Sequence, residues 1–202
     1  MKAKILSALL LIVPMPALAE VDLTPPATAT EAEGLEAWDR IYEVASHPRC
    51  SNCHTGASDR PMWSGPSYGA TRPHGMNIRA GESRMGIEYV PCQTCHTTKD
   101  EDWSNANAMP HAAPRVAMFW QLAPVEADWF GRSSVEICEQ LRDPERNGNR
   151  DMMGLAEHLD HDLILHWAWE PGGGREPAPY SLQEHVYDIL TWGVAGMPCP
   201  QS

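Results

Sequence analysis

Two stretches of the chain share one form: CSNCH at residues 50–54 and CQTCH at residues 92–96. A Cys-x-x-Cys-His stretch lets two thiols bond covalently to the vinyl groups of a haem while the adjacent imidazole binds its iron. The repetition therefore predicts two haem c groups, each attached through two cysteines and ligated by one proximal histidine. The residues concerned are Cys50, Cys53, Cys92, Cys95, His54 and His96.

A zinc site and a pair of disulfides are the other uses of such cysteine pairs. A four-cysteine zinc ribbon usually separates its pairs by about 15–20 residues. Here 38 residues lie between Cys53 and Cys92. Neither alternative needs a histidine directly after each pair, so the spacing and the histidines favour haem.

Residues 1–19 have the three parts of an export signal. Lys2 and Lys4 form a basic start, residues 5–13 are apolar, and Ala17-Leu18-Ala19 has the small-x-small form of a cleavage site. The apolar run is too short to span a bilayer as a helix. We expect cleavage near Ala19 and a periplasmic protein with no stable membrane insertion, in a compartment where thiols are oxidised and c-type haem is attached. An uncleaved anchor is the alternative.

The composition is acidic, with 15 Lys and Arg against 27 Asp and Glu. Cleavage would also remove Lys2 and Lys4, leaving 13 basic residues and a formal charge of −14. Such a surface argues against nucleic acid and anionic lipid as partners, and it suits steering toward a basic patch on a redox protein. Solubility alone would account for the charge equally well.

Helical spacing and helix caps predict a mostly α, loop-rich fold of short helices packed around two covalently attached haems. We expect a flexible leader over 20–33 and one domain over 34–200. Apolar spacing predicts a helix from about Leu35 to Ser46, and Ser-x-x-Glu capping boxes predict helices after Ser133 and after Ser181. Residues 152–169 are also helical in pattern, with a possible break at 160–162.

The segment between the two motifs has no sustained periodicity. Residues 55–91 contain six Gly and four Pro. An irregular stretch of this length is unusual inside a compact domain unless it is functional or held by a ligand. Two buried haems would supply that ligand.

The far side of each iron decides the chemistry, because two protein ligands close a haem while an open position admits peroxide or small gases. His74, in the loop between the motifs, is the first candidate for a distal ligand, and Met76 competes with it. His47 is a candidate for the neighbouring haem, and His158 is the best candidate from the C-terminal half. A hydrogen-bonded or surface role is an equal alternative for each. The sequence places His185 beside Glu184 on a solvent-facing side of its helix.

Cys138 and Cys199 lie outside both motifs. Two leftover cysteines on helical elements of one exported domain most simply form a disulfide, with free thiols as the alternative. This pair would tie the last helix to the helix that follows Ser133.

Five stretches together resemble a group of exported dihaem c-type cytochromes labelled isoquinoline 1-oxidoreductase-associated subunits. They are HPRCxxCH at 47–54, HxMN at 74–77, CxxCH at 92–96, ICxxLxDP at 137–144 and WxWxPG at 167–172. The resemblance implies electron transfer from a periplasmic molybdenum hydroxylase or another dehydrogenase toward the respiratory chain. Phe119-Trp120 stands where a His-Trp pair is usual in that group, which argues against an iron ligand there.

We therefore predict a periplasmic carrier that passes single electrons between a dehydrogenase-type donor and a cytochrome or oxidase acceptor. A small dihaem peroxidase with one open or displaceable haem position is the alternative. No catalytic constellation supports the peroxidase beyond surplus histidine and glutamate residues.

Overall fold

The computed structural model describes residues 21–97, 111–116 and 118–201, so the predicted export signal lies outside the described residues. Helix dominates the regular structure, and the prediction of a mostly α, loop-rich fold is confirmed at that level. The helices are α1 (Glu31–Ser46), α2 (Pro48–Ser51), α3 (Ser134–Leu141), α4 (Met152–His161), α5 (Leu163–Trp167) and α6 (Leu182–Val194). Within the described ranges, no helix is long and apolar enough to cross a membrane.

Side-chain caps set where the long helices begin. Ser133 with Glu136 and Ser181 with Glu184 form the two predicted capping boxes, which open α3 and α6. A third box, Thr30 with Glu33, opens α1 at Glu31, four residues before the predicted start. Each box satisfies backbone N–H groups that have no partner inside the first turn.

The structure differs from the predicted flexible leader over 20–33 at its end and near its start. Its last three residues belong to α1. Val21 and Leu23 pack against the hydrophobic core, and the backbone N–H of Asp22 donates to Gln183 Oε1 at 2.7 Å. Residues 21–23 therefore contact the hydrophobic core and the first turn of α6.

α1, α3, α4 and α6 enclose the main hydrophobic core. Trp38 of α1 and Trp192 of α6 meet at its centre with ring centroids 5.2 Å apart. Both indole N–H groups have acceptors, Ser134 Oγ at 2.7 Å and the Pro198 carbonyl at 2.8 Å. The aromatic area is therefore buried without leaving an unpaired donor, which would cost free energy.

Two cross-links fasten α6 to the rest of this helical group. The predicted disulfide is present, with the sulfur atoms of Cys138 and Cys199 2.01 Å apart. Arg40 of α1 forms an ion pair with Asp188, whose side chain is buried in α6, and Arg40 Nε lies 2.9 Å from Asp188 Oδ2. Burial raises the pKa of Asp188 while the bonds from Arg40 lower it.

The helical pattern over 152–169 breaks where the sequence predicted. Asp162 ends α4 and also caps α5, since its side chain accepts a hydrogen bond from the Ile164 N–H at 2.8 Å. His158 and His161 therefore lie in the last turn of α4.

The expectation for His185 is wrong. Its side chain is buried in α6, and its ring lies 5.7 Å from that of Trp169. Burial lowers the pKa of His185 to about 4. Glu184 faces solvent, but neighbouring residues on a helix point in different directions, and His185 shares its face with Ile189.

Loops predominate among the described residues between α2 and α3. Strand β1 (Met62–Trp63) pairs antiparallel with β2 (Arg72–Pro73), and Met62 lies opposite Pro73. Short 3-10 turns occur at Pro66–Tyr68, Gly75–Asn77 and Cys92–Thr94. This irregular backbone surrounds a cavity and carries both Cys-x-x-Cys-His motifs.

Candidate haem centres

The first motif begins on α2, directly after α1. Pro48 occupies the first turn, where its missing N–H costs nothing, and His47 caps the helix by accepting the Arg49 N–H at Nδ1, 3.2 Å away. The short helix brings Cys50 and Cys53 close to the interior of the protein. Burial raises the pKa of the Cys50 thiol to about 12 and that of Cys53 to about 11.

His54 is held firmly behind these cysteines. Its Nδ1 lies 3.2 Å from the Ala127 carbonyl, and its ring stacks on Trp129 with centroids 3.5 Å apart. The indole of Trp129 donates to Gln140 Oε1 of α3 at 2.7 Å. The imidazole of the first motif is thereby linked to the helical core.

The histidine of the second motif makes the same two kinds of contact as His54, but the backbone of this motif is different. Cys92–Thr94 form a 3-10 turn rather than an α-helix, and Cys95 is exposed. His96 Nδ1 lies 3.1 Å from the Pro114 carbonyl, and its ring stacks on Trp120 with centroids 4.5 Å apart. The two sites thus share one design, an imidazole stacked on tryptophan with Nδ1 at a backbone carbonyl.

Both proximal imidazoles are suited to bind iron. A carbonyl acceptor fixes the proton on Nδ1 and leaves the lone pair of Nε2 free for a metal. Burial lowers the pKa of His54 to about 3 and that of His96 to about 4, against smaller opposing effects of the carbonyl hydrogen bonds. Both rings are therefore neutral at physiological pH, which is the form that coordinates a metal.

A cavity of about 350 Å³ lies between the two motifs, and Cys53 of the first motif lines it together with the second motif. Aromatic and aliphatic side chains form most of its wall. The aromatic residues of the wall are Trp63, Tyr68, Trp120 and Trp167. Cys92 is close enough to Cys53 to contribute to the raised pKa of that thiol. The second motif and one cysteine of the first therefore face one apolar space, whereas Cys50 and His54 are not among its lining residues.

Two arginines give this wall positive charge. The guanidinium groups of Arg49 and Arg175 lie 5.4 Å and 5.8 Å from the ring centroid of Trp167. Arg49 is buried, and its Nη2 pairs with Glu176 Oε1 at 3.4 Å. Its Nε has no hydrogen-bond partner among the described residues. A buried unpaired donor beside an apolar cavity fits a group that carries both a large hydrophobic ring and carboxylates, as haem does.

The predicted distal candidates lie in different places. His74 lines the cavity with the second motif. His47 is unsuited to ligate iron through Nε2, because its Nδ1 accepts a hydrogen bond and its proton must then lie on Nε2. His158 lines a separate, more open cavity of about 560 Å³, and its charge contributes to the lowered pKa of His54. His158 therefore stays a candidate for the first haem only.

Met76 is a poor competitor for His74. Met76 also lines the cavity, but it is 78% exposed and adopts a φ of 58° in the turn Gly75–Asn77. His111, which lines the same cavity, packs its ring 4.4 Å from that of Tyr68.

Sequence reasoning missed the tryptophans behind the proximal histidines and the arginine pair. Trp120 and Trp129 follow their histidines by 24 and 75 residues, and a contact at such separations leaves no local signal. Arg49 could have been suspected, since a basic residue directly before a haem-binding cysteine is close to any bound haem.

Comparisons with known proteins identify no relative of this chain. No protein-family model matches the chain, and neither the curated proteins nor the solved structures contain a match. Within the described residues, no group of three or more His, Cys, Asp or Glu side chains could hold a metal ion. Haem iron takes four of its ligands from the porphyrin, so one or two axial side chains suffice for it.

Proposed function

We propose that this protein is a periplasmic dihaem c-type cytochrome that carries single electrons between redox proteins. The observation that supports this most is that Cys53 lines the same apolar cavity as Cys92, Cys95 and His96. The histidine of each motif also has its Nδ1 at a backbone carbonyl, which leaves Nε2 free for a metal. When bound, a haem supplies an iron that cycles between the ferric and ferrous states.

The chain's own residues would hold and tune that group. Cys50 and Cys53 would anchor one haem and Cys92 and Cys95 the other, while the apolar wall keeps water away from the iron. Arg49 would compensate carboxylate charge through its unpaired Nε.

The acidic surface bears on the choice of partner. With a formal charge of −12 for the whole chain, encounter with a basic face of a donor or acceptor would be fast and sensitive to salt. A dehydrogenase, including a molybdenum hydroxylase, is the proposed donor, and a cytochrome or oxidase the proposed acceptor.

Counting haems after removal of cysteine pairs tests this function. Protein exported in cells that mature c-type cytochromes should carry two haems per chain in a pyridine haemochrome assay. The double variants C50A/C53A and C92A/C95A should each carry one, because each loses one pair of attachment sites. C138A/C199A is the matched control and should keep both.

A chain with no haem, or with one haem that survives either double substitution, would contradict the proposal. If both haems are present but one binds carbon monoxide and turns over peroxide, the peroxidase becomes the better assignment. A carrier should instead be reduced and reoxidised reversibly, with a rate of reduction by a basic redox protein that falls as salt is added.

A further inference from the structure

We propose that His74 is the second axial ligand of the haem held by Cys92, Cys95 and His96, so that imidazole closes both faces of this haem. The inference rests on the proposed attachment of haem at the second motif. It adds to that function, because a haem with two protein ligands has no open position and can only transfer electrons.

The spacing of the two rings carries this inference. The ring centroids of His74 and His96 are 6.3 Å apart. A bond from a metal to an imidazole nitrogen is about 2 Å long, and that nitrogen lies about 1 Å from its ring centroid. Two imidazoles on opposite faces of one iron therefore have centroids roughly 6 Å apart. The observed separation leaves room for one metal ion and little else.

The orientation of the rings is compatible with this arrangement. Each ring of an axial pair contains the metal–nitrogen axis, so the angle between the ring planes is free, and the observed 56° is acceptable. His74 Nδ1 lies 3.0 Å from the Gly75 carbonyl, as His96 Nδ1 lies near that of Pro114. Both imidazoles therefore carry their proton on Nδ1 and keep Nε2 free for a metal, and both residues line the same cavity.

The backbone on both sides of His74 is fixed. Its N–H donates to the Pro61 carbonyl at 2.8 Å, directly after β2. Its ring lies 4.8 Å from that of Trp63, which belongs to β1. A Cβ atom at Gly75 would come within 2.9 Å of the same indole, so glycine is needed where the loop passes under Trp63. Such fixed placement of a ligand is what a closed haem site requires.

Replacing His74 with alanine tests the inference, with His111→Ala as the matched control from the same cavity. The H74A protein should keep two haems by haemochrome assay. It should gain one high-spin ferric haem relative to wild type, and its reduced form should bind one additional carbon monoxide. Added imidazole should restore the low-spin spectrum. H111A should retain the wild-type spectrum.

A second variant keeps the test decisive if H74A does not accumulate. His74→Met replaces one ligand by another, so the second haem should stay low-spin, show a Met–iron charge-transfer band and shift to a higher reduction potential. Unchanged spectra in H74A or H74M, or a high-spin haem appearing in H111A instead, would overturn the inference. Two haems with unchanged H74A spectra refute only this assignment, whereas a wild-type chain without haem refutes the proposed function.

Discussion

The helical half and the cavity half of the molecule fill their interiors in different ways. The helical half consists of α1, α3, α4 and α6, and Trp38, Trp192 and Ile137 are fully buried between its helices. The cavity half consists of residues 47–97, 111–116 and 118–122 together with Trp167 and Arg175, and at its centre lies the cavity of about 350 Å³. Regular helices occur where side chains fill the interior. Irregular backbone occurs where a bound ligand would fill it.

The cavity half has only a small hydrophobic cluster, formed by Val116, Trp120 and Trp167, and polar contacts hold its loops together. Arg84 Nε and Nη1 donate to the carbonyls of Ala123 and Ser58, both at 2.9 Å. The Leu122 N–H donates to the Arg84 carbonyl at 2.9 Å. These bonds link the loop between the motifs to the loop after the second motif. The helical half should therefore set global stability, and the cavity half should respond mainly to its ligand.

Removing the disulfide should have the largest effect on the helical half. The double variant C138A/C199A opens a loop of 61 residues, and the chain-entropy account gives a loss of about 4 kcal/mol in the free energy of unfolding. Urea denaturation followed by far-UV circular dichroism measures it. The visible spectrum of the folded variant should stay that of wild type. If the free energy of unfolding falls by less than about 1 kcal/mol, or if the haem spectrum changes, the idea that the helical half alone sets global stability is contradicted.

Acid should weaken the helical half through His185. The pKa of this buried imidazole is about 4 in the folded protein, below the ordinary value of 6.5. Between those values only the unfolded chain binds the proton, so stability falls as pH drops below about 6.5 and levels off below about 4. The loss approaches about 3 kcal/mol at the lower limit.

The variant His185→Gln isolates this effect from other titrating groups. Its stability should fall less than that of wild type between pH 7 and pH 5, as measured by urea denaturation at each pH. His161→Gln is the control, because its side chain is 74% exposed in the last turn of α4. Equal pH dependence in H185Q and wild type would show that His185 is not buried as a neutral ring.

A buried asparagine in each half allows the finest comparison. Asn147 Nδ2 donates to the Leu141 and Arg150 carbonyls at 2.7 Å and 2.8 Å, in the turn between α3 and α4. Asn52, inside the first motif, accepts from Ser64 Oγ at 2.7 Å. Asn147→Ala should lower the free energy of unfolding by about 2 kcal/mol, because buried polar groups lose their partners.

Asn52→Ala should act on the cavity half instead. Losing the Ser64 contact should speed hydrogen exchange at the His74 N–H and broaden the haem spectrum, with a global loss of about 1 kcal/mol or less. Hydrogen exchange and denaturation together distinguish the two variants. If N52A lowers global stability as much as N147A, the two halves unfold as one unit and the comparison fails.

Local chemistry made the helical half predictable. A capping box needs residues only three positions apart, so Ser133 with Glu136 and Ser181 with Glu184 marked the starts of α3 and α6. Thr30 with Glu33 carries the same signal, but the Thr, Pro and Ala around it favoured a leader. His185 was misjudged from its neighbour Glu184, whereas its spacing of four from Ile189 indicated the buried face.

The cavity half was predictable only in its motifs. The proposed covalent and proximal residues follow from five adjacent positions in each motif, and His74 was a candidate because its loop lies between the two motifs. Its approach to His96 depends on two two-residue strands, which are too short to leave a periodic pattern. The exclusion of His47 depends on one hydrogen bond to Arg49 that no spacing reveals.

One contact between the first motif and the strand pair bears on how the protein would be assembled. The Asn52 carbonyl accepts the Met62 N–H at 2.9 Å, and Met62 lies opposite Pro73, the residue before His74. If the proposed function is right, haem attachment at the first motif would fix the β1–β2 strand pair, and this pair positions His74 next to the second iron. If the chain is exported as proposed, the first motif emerges before the second. Maturation in chain order would then place His74 at the second haem as soon as that haem is attached. Maturation in the reverse order would leave that haem temporarily open to oxidants.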